Sequence, residues 1–183
     1  MHRKIGVMGS AEFKGAKVAA KAREIGKQIA THGCILLTGS STGLSYEAVK
    51  GAKASGGFTV GVSPASNLQE HVGAYGLPVE CFDLLVFTGS GFKGRNVVLI
   101  RSCDAVVVVA GRMGTLNEFT IAYDEGRPIG VLGASGGISG HLKTIVEKSA
   151  KRGPRIVYDA DPSLLVGRLV EALGEPRVAG RTA

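Results

Sequence analysis

A glycine-rich turn at residues 111–115 carries the groups best suited to hold an anion. The apolar run 105–110 precedes it and a helix-forming stretch starts at Thr115, so the turn joins a buried strand to a helix. Gly111 and Gly114 allow a tight turn, because glycine carries no Cβ penalty at positive φ. A helix start offers backbone N–H groups without intrahelical partners and the positive end of a dipole. The sequence therefore predicts a phosphate-binding turn.

Two charged residues near this turn admit both structural and chemical interpretations. Thr115 and Glu118 have the spacing of a capping box, in which the glutamate only reaches back to the helix start. Alternatively, the Glu118 carboxylate takes part in chemistry. Arg95, at the predicted start of another helix, is either an anion-binding group or a solvated side chain. Arg101 and Asp104 are compatible with an ordinary surface ion pair, which contributes little energy.

Other reactive residues follow no catalytic pattern. The four histidines have no metal-ligand spacing, so no metal site is predicted. There is no Gly-x-Ser-x-Gly elbow and no Walker loop, which argues against an α/β-hydrolase and a P-loop NTPase. The three cysteines lie in or beside apolar segments, as expected of core thiols in a reducing cytoplasm. Four serines in the glycine-rich loops are as compatible with turn formation as with ligand contact: Ser10, Ser40, Ser41 and Ser135.

Composition favours a single domain with an anionic ligand. A chain of 183 residues with 44% hydrophobic content can bury a sizeable core. The net charge of +7 favours anionic partners. However, Lys and Arg are scattered and aromatic residues make up only 5%, which argues against nucleic-acid binding. No signal peptide or membrane-length apolar stretch is present, so the sequence predicts a cytoplasmic protein without membrane contact.

Apolar runs alternate with amphipathic stretches along the chain. The runs predict strands at 4–9, 34–38, 58–62, 84–88, 105–110, 129–132 and 155–158. The stretches between and after them predict helices at 15–32, 44–55, 95–102, 115–125, 141–151 and 162–173. This alternation predicts right-handed βαβ crossovers and a doubly wound parallel sheet of about seven strands, a Rossmann-like three-layer α/β/α fold.

The connecting segments predict where the ligand binds. Residues 63–82 form a long loop with at most one short helical turn, which we expect to cover the site. In a doubly wound sheet, ligands bind beyond the carboxyl ends of the strands. Glycine clusters follow those ends at 9–10, 39–43, 89–94, 111–115 and 133–137. We predict one nucleotide-binding domain at residues 1–174 and a flexible tail at 175–183.

The residues of this glycine-rich edge resemble a known superfamily. The stretch 111–118, GRMGTLNE, looks like the Pro-Gly-Gly-x-Gly-Thr-x-x-Glu signature of the LONELY GUY phosphoribohydrolases, once misnamed lysine decarboxylases. The stretch 94–104, GRNVVLIRSCD, is more similar to the related molybdenum-cofactor carrier-like proteins, which commonly carry Arg-Asn where the hydrolases carry Arg-Lys. The resemblance extends over residues 4–173.

This resemblance implies a set of site residues. The family's catalytic arginine falls on Arg95 and its catalytic glutamate on Glu118. The predicted ligand and phosphate contacts are Gly9, Ser10, Gly39, Ser40, Ser41, Thr42, Gly43, Asn96, Gly111, Arg112, Met113, Gly114 and Thr115.

The site also departs from the family pattern at several positions. Ala110 stands in place of the family's proline and Arg112 in place of its second loop glycine. Hydroxyl residues at 40–42 replace upstream glycines. Arg112 either contacts the phosphate or crowds the pocket.

Three functional hypotheses follow from this resemblance. The first is a carrier or sensor that binds the molybdenum cofactor (molybdopterin) as cargo, or a nucleotide. The second is a phosphoribohydrolase that cleaves a nucleoside 5′-monophosphate and needs no cofactor. The third, weaker one is single-stranded DNA binding, since the DNA-processing protein of transformation resembles this sheet. The family also implies a homodimer or larger homo-oligomer.

Overall fold

The chain folds around one parallel sheet. The structure is a computed structural model that describes residues 2–12 and 15–174. The sheet consists of β1 (Lys4–Gly9), β2 (Ile35–Thr38), β3 (Thr59–Ser63), β4 (Leu84–Phe87), β5 (Ala105–Val109), β6 (Ile129–Leu132) and β7 (Ile156–Asp159). The order of its strands is β4-β3-β2-β1-β5-β6-β7, and every neighbouring pair is parallel. The predicted doubly wound sheet is confirmed.

Helices cover both faces of this sheet. They are α1 (Ala16–Thr31), α2 (Leu44–Ala54), α3 (Gly91–Ser102), α4 (Met113–Asp124), α5 (Leu142–Ser149) and α6 (Pro162–Ala172). Helices α1, α2 and α6 share one apolar core with Val107, whereas α3, α4 and α5 share another with Val108. Val107 and Val108 are both fully buried, because successive side chains of a strand point to opposite faces. The three-layer arrangement explains the unbroken apolar run of β5.

The chain changes direction across the sheet at β1. From β1 it proceeds through β2, β3 and β4 to one edge, and then returns to place β5 on the other side of β1. Gly9 at the end of β1 pairs in register with Val109 at the end of β5. Helices that follow β2 and β5 therefore start on opposite faces beside one point, which is where open α/β sheets bind their ligands.

Two predicted helix starts were wrong. Helix α4 begins at Met113 rather than Thr115, and its N-cap residue, Arg112, makes no side-chain capping bond. Glu118 does not form the predicted capping box because its carboxylate contacts Arg95 instead. Helix α3 begins at Gly91 rather than Arg95, so the glycine cluster at 89–94 is largely helical and Arg95 lies in the second turn.

The predicted surface pair between Arg101 and Asp104 was also wrong. Arg101 instead contacts Glu125 at 2.7 Å, and Asp104 contacts the Lys4 Nζ at 3.1 Å. Asp104 also accepts a hydrogen bond from the Lys4 backbone N–H at 2.8 Å, so it ties the start of β5 to the start of β1.

The segment between β3 and β4 is irregular, as predicted, with a π-helical turn at Glu70–Ala74. His71 fixes this turn from within: its Nδ1 lies 2.8 Å from Ser63 Oγ, and its Nε2 lies 3.0 Å from the Pro78 carbonyl oxygen. The His71 side chain is fully buried, which makes it an anchor of the segment.

A 3₁₀ turn at Gly137–His141 directly precedes α5. Asp161 caps the last helix, since its side chain accepts hydrogen bonds from the Ser163 and Leu164 N–H groups. Within residues 2–12 and 15–174, no helix is long and apolar enough to cross a membrane. The predicted flexible tail, 175–183, lies outside the described residues.

Candidate functional site

A cavity of about 320 Å³ opens over the carboxyl end of β1. Strand β1, the start of α2, the first half of α3 and the start of α4 contribute to its wall. The lining residues are Val7, Met8, Gly9, Ser10, Ala11, Gly39, Ser41, Ser45, Phe92, Lys93, Arg95, Asn96, Arg112, Gly114, Thr115 and Glu118. This volume matches the lower end of small-molecule sites and is sufficient for a ligand of mononucleotide size.

A buried ion pair lies in the wall of this cavity. Arg95 Nη1 of α3 is 3.4 Å from Glu118 Oε1 of α4, and the two residues are only 5% and 8% exposed. Asn96 follows Arg95 on α3. In the orientation that satisfies its hydrogen bonding, the Asn96 amide nitrogen donates to the Phe92 carbonyl oxygen at 3.0 Å and to Glu118 Oε1 at 3.3 Å. These contacts connect α3 to α4 beside the glycine turn.

For both Glu118 and Arg95, burial changes the pKa more than the charge of the partner does. Desolvation raises the pKa of Glu118 to about 7, although the positive charge of Arg95 acts in the opposite direction. Desolvation likewise lowers the pKa of Arg95 despite the opposing effect of Glu118. At 3.4 Å the single contact is too long to compensate two buried charges. Both protonation states of Glu118 are therefore populated near neutral pH.

A glycine holds the Arg95 guanidinium in place. A Cβ added to Gly39 would lie 1.6 Å from Arg95 Nη1 and 2.3 Å from Cζ, so the guanidinium occupies the space that any other residue would need. The Nε of Arg95 is buried and has no hydrogen-bond partner within the described part of the chain. This arginine thus lies in the cavity wall with unused hydrogen-bonding capacity.

The glycine turn after β5 is supported from behind by the segment that follows β6. Ala110 has a φ of +54° and Gly111 a φ of +95°. The Ala110 N–H donates to Ser135 Oγ at 2.9 Å, and the Ile138 N–H donates to the Gly111 carbonyl at 2.9 Å. Residues 133–137 therefore hold the turn in place, rather than lining the cavity as predicted. Proline cannot replace Ala110 in this backbone, because its ring fixes φ near −65°.

Arg112 extends across the mouth of the cavity. Its Nη2 lies 2.9 Å from Oε2 of Glu12 in the loop after β1, and the two side chains are 60% and 84% exposed. The Arg112 side chain thus lines the cavity and pairs with a carboxylate at its mouth.

The loops that follow β1 and β2 interlock beside this mouth. The Leu44 N–H, at the start of α2, donates to the Ser10 carbonyl at 2.9 Å. Gly43 has a φ of +85°, and a Cβ there would lie 2.2 Å from that same carbonyl oxygen. A side chain at 43 would separate the loops, so Gly43 acts through backbone packing.

Ten of the predicted site residues line the cavity together: Gly9, Ser10, Gly39, Ser41, Arg95, Asn96, Arg112, Gly114, Thr115 and Glu118. Of the other five, Ser40, Thr42, Gly43 and Gly111 lie in its supporting loops, and Met113 is the first residue of α4. Ser40 is fully buried, whereas Met113 is 74% exposed.

Sequence reasoning missed six cavity residues: Val7, Met8, Ala11, Ser45, Phe92 and Lys93. Phe92 and Lys93 lie in the first turn of α3, whose predicted start was too late, and Val7 and Met8 belong to a strand that carried no site signal. Within the described residues, no group of acidic, histidine or cysteine side chains could hold a metal ion.

The comparisons with known proteins agree with this geometry. The model of the SLOG cluster4 family matches residues 2–166. The molybdenum cofactor carrier protein of Chlamydomonas reinhardtii is 30% identical, with a TM-score of 0.77 over 96% of this chain and 100% of that one. The molybdenum cofactor binding protein of Rippkaea orientalis is 26% identical, with a TM-score of 0.77 over 96% of this chain and 99% of that one.

Two further relatives bear on the other hypotheses. The cytokinin riboside 5′-monophosphate phosphoribohydrolase of Mycobacterium tuberculosis is 31% identical over 112 residues, 61% of this chain and 57% of that protein. DNA processing protein A of Streptococcus pneumoniae is 20% identical, with a TM-score of 0.64 over 89% of this chain and 61% of that one. The second likeness shows the fold alone. The resemblance to carriers and phosphoribohydrolases is confirmed.

Proposed function

The chain belongs to the SLOG cluster4 family, and we propose that it binds a phosphorylated nucleotide-like ligand, with the molybdenum cofactor as the first candidate cargo. The observation that carries this proposal is Arg95, a nearly buried cation that, within residues 2–12 and 15–174, has one long ionic contact and no hydrogen-bond partner at Nε. A phosphate beside it would supply the charge and the acceptors that Glu118 supplies incompletely. The start of α4, which lacks a side-chain cap, would donate N–H groups to the same anion.

Carriage of molybdopterin agrees with the two carrier and cofactor-binding proteins that match over nearly the whole chain. A carrier needs a pocket and a phosphate seat but no turnover. Mass spectrometry of the small molecule released from the purified protein tests this function. We expect a pterin phosphate; recovery of a nucleotide, or of no ligand after purification without dialysis, would contradict carriage.

Phosphoribohydrolase activity is the second candidate, and Glu118 favours it. A carboxyl group with a pKa of about 7 can act as an acid or a base at neutral pH. Cleavage of an N-glycosidic bond passes through an oxocarbenium-like state, which a neighbouring carboxylate stabilises. Arg95 would orient the phosphate side of the substrate. Glu118→Gln keeps the shape and removes the charge, so we expect loss of most free-base release from AMP if the parent releases any.

The phosphate position can be tested at Gly114. A Cβ at this position meets no atom within 4 Å, so a larger side chain should leave the fold intact. Gly114→Val would cover the N-terminus of α4, and we expect calorimetry to show no phosphate binding at all. Unchanged affinity would refute this placement. Homo-oligomerisation, which the family resemblance implies, and a cytoplasmic location, which the sequence predicts, stay predictions.

A further inference from the structure

Among the residues that the structure describes, one aromatic side chain lies in the cavity wall. Several large apolar side chains are exposed within the described residues, and of these Phe92 is the one that lines the cavity. Its side chain is 47% exposed. Aromatic residues are scarce in this chain, which makes a half-exposed ring inside the site informative. Such a ring offers an apolar, planar surface to a ligand.

Tyr75 fixes the orientation of this ring. The Tyr75 and Phe92 ring centroids are 5.2 Å apart and the ring planes meet at 82°, a favourable T-shaped contact. Tyr75 comes from the irregular segment between β3 and β4, directly after the turn that the buried His71 anchors. The segment thereby reaches the cavity at its rim, as a positioning element for Phe92.

The aromatic and the anion-binding groups lie at separate places along the cavity wall. Phe92 is in the first turn of α3, one turn before Arg95, which in turn contacts Glu118 of α4. The proposed phosphate seat lies at the start of α4. A ligand bound across this wall would place its phosphate between the glycine turn and Arg95, its sugar or linker near Glu118, and a third part against Phe92.

We propose that Phe92, positioned by Tyr75, stacks against the planar heterocycle of the ligand. This inference rests on the proposed function and narrows the ligand class to monophosphates that carry a purine- or pterin-like ring. Simple sugar phosphates would occupy only the phosphate seat. Stacking suits this role because every such ring has a π-face, so affinity does not require a particular pattern of hydrogen bonds.

The test is calorimetric titration of the full chain with GMP, AMP and ribose 5-phosphate. Guanine carries the same amino and oxo pattern on its six-membered ring as a pterin, so GMP probes both ligand types. We expect Phe92→Ala to weaken binding of both nucleotides by about 5- to 150-fold, the range for loss of one stacking contact. Ribose 5-phosphate binding should not change. Phe92→Tyr should bind like the parent, because it keeps the ring.

Two further variants separate stacking from a structural effect. Val98→Ala truncates another exposed apolar side chain of α3, outside the cavity, and should leave all three affinities unchanged. Tyr75→Ala should weaken nucleotide binding less than Phe92→Ala does, and Tyr75→Phe should restore it, because the ring contact is retained.

The outcomes distinguish this inference from the proposed function. A parent that binds nucleotides and a Phe92→Ala variant that binds them equally well would overturn the ring subsite alone. Equal losses for nucleotides and ribose 5-phosphate would also overturn it, because the effect would then not concern the ring. A parent that binds none of the three probes would refute the proposed function, and the ring subsite with it.

Discussion

Glu118 and Glu47 are equally buried, at 8% exposure each, yet their surroundings differ in kind. Glu47, on α2, contacts Lys50 Nζ at 2.6 Å and also the Arg23 Nε. Burial raises the pKa of Glu47, but these hydrogen bonds and charges outweigh it and the net pKa is lowered. Glu118 has one cation at 3.4 Å, and its pKa rises to about 7.

The difference shows which carboxylate is structural. Glu47 ties α1 to α2 on the face opposite the cavity's ion pair, and two cations satisfy it. Glu118 is buried with too few partners, and this arrangement lowers the stability of the fold. Such an arrangement is typical of sites that require a particular charge or proton. Burial alone therefore does not distinguish the two carboxylates; the number and distance of their charged partners do.

The largest expected effect is on the pH dependence of stability. Because the pKa of Glu118 rises from 4.5 to about 7 on folding, the native state binds its proton more tightly. Its contribution to stability is complete below pH 4.5 and is lost as the pH rises through 7, on the order of 3 kcal/mol. Glu118→Gln should lack this loss. Urea unfolding of both proteins at pH 4.5, 6 and 7.5 measures the free energy of unfolding. If this free energy changes equally with pH in the parent and in Glu118→Gln, the raised pKa is contradicted.

Gly39→Ala should disrupt the Arg95 side of the pair. The new Cβ would overlap the guanidinium, so Arg95 must leave its position in the cavity wall. We expect phosphate-ligand affinity to fall by about 1.5–3 kcal/mol, the value of a charged hydrogen bond. Gly140→Ala, where a Cβ meets no atom within 4 Å, is the matched control. Calorimetric titration with AMP measures the affinity of each protein. If Gly39→Ala binds AMP as tightly as the parent does, Arg95 does not bind the ligand.

Glu47→Gln should show the opposite pH dependence. With a lowered folded pKa, the contribution of Glu47 is present above its unfolded pKa of 4.5 and lost as the pH falls through the folded value. Its partners Arg23 and Lys50 are 58% and 39% exposed, so solvent screening limits the loss to about 1 kcal/mol at pH 7. Unfolding at pH 7 and pH 3 measures this change. Ligand affinity should be unaffected; if it fell, the contrast with Glu118 would be lost.

The smallest stability effect is expected at Arg112. Its pair with Glu12 is exposed on both sides, so Arg112→Gly should change the free energy of unfolding by less than about 0.5 kcal/mol. Ala110 is left unchanged, because its φ of +54° excludes the family's proline.

Ligand assays on the same variant decide between the two interpretations of Arg112. Weaker AMP binding would assign Arg112 to the ligand, whereas release of free base by Arg112→Gly alone would show that it blocks a competent site. Glu12→Gln, which breaks the pair but keeps the arginine, is the control. If neither binding nor release changes, Arg112 has no role in the site.

The sequence by itself determined the fold and the edge of the sheet at which the candidate site lies. Apolar runs such as that of β5 reveal strands buried on both faces, and glycines mark the strand ends, because both are local properties of the chain. The spacing of the motif around Gly111 and Glu118 sufficed to identify the family. The predicted start of α3 was too late, because its first turn contains glycines that resemble a loop in the sequence.

Only the tertiary structure decided what the site residues do. Thr115 and Glu118 have capping-box spacing, but a pocket between α3 and α4 brings Arg95, 23 residues away, to that carboxylate. The left-handed Ala110, the guanidinium against Gly39 and the ring contact of Phe92 with Tyr75 likewise depend on packing between distant segments. Sequence spacing sets which groups share a helix face, whereas desolvation and partner choice depend on which elements the fold places against that face.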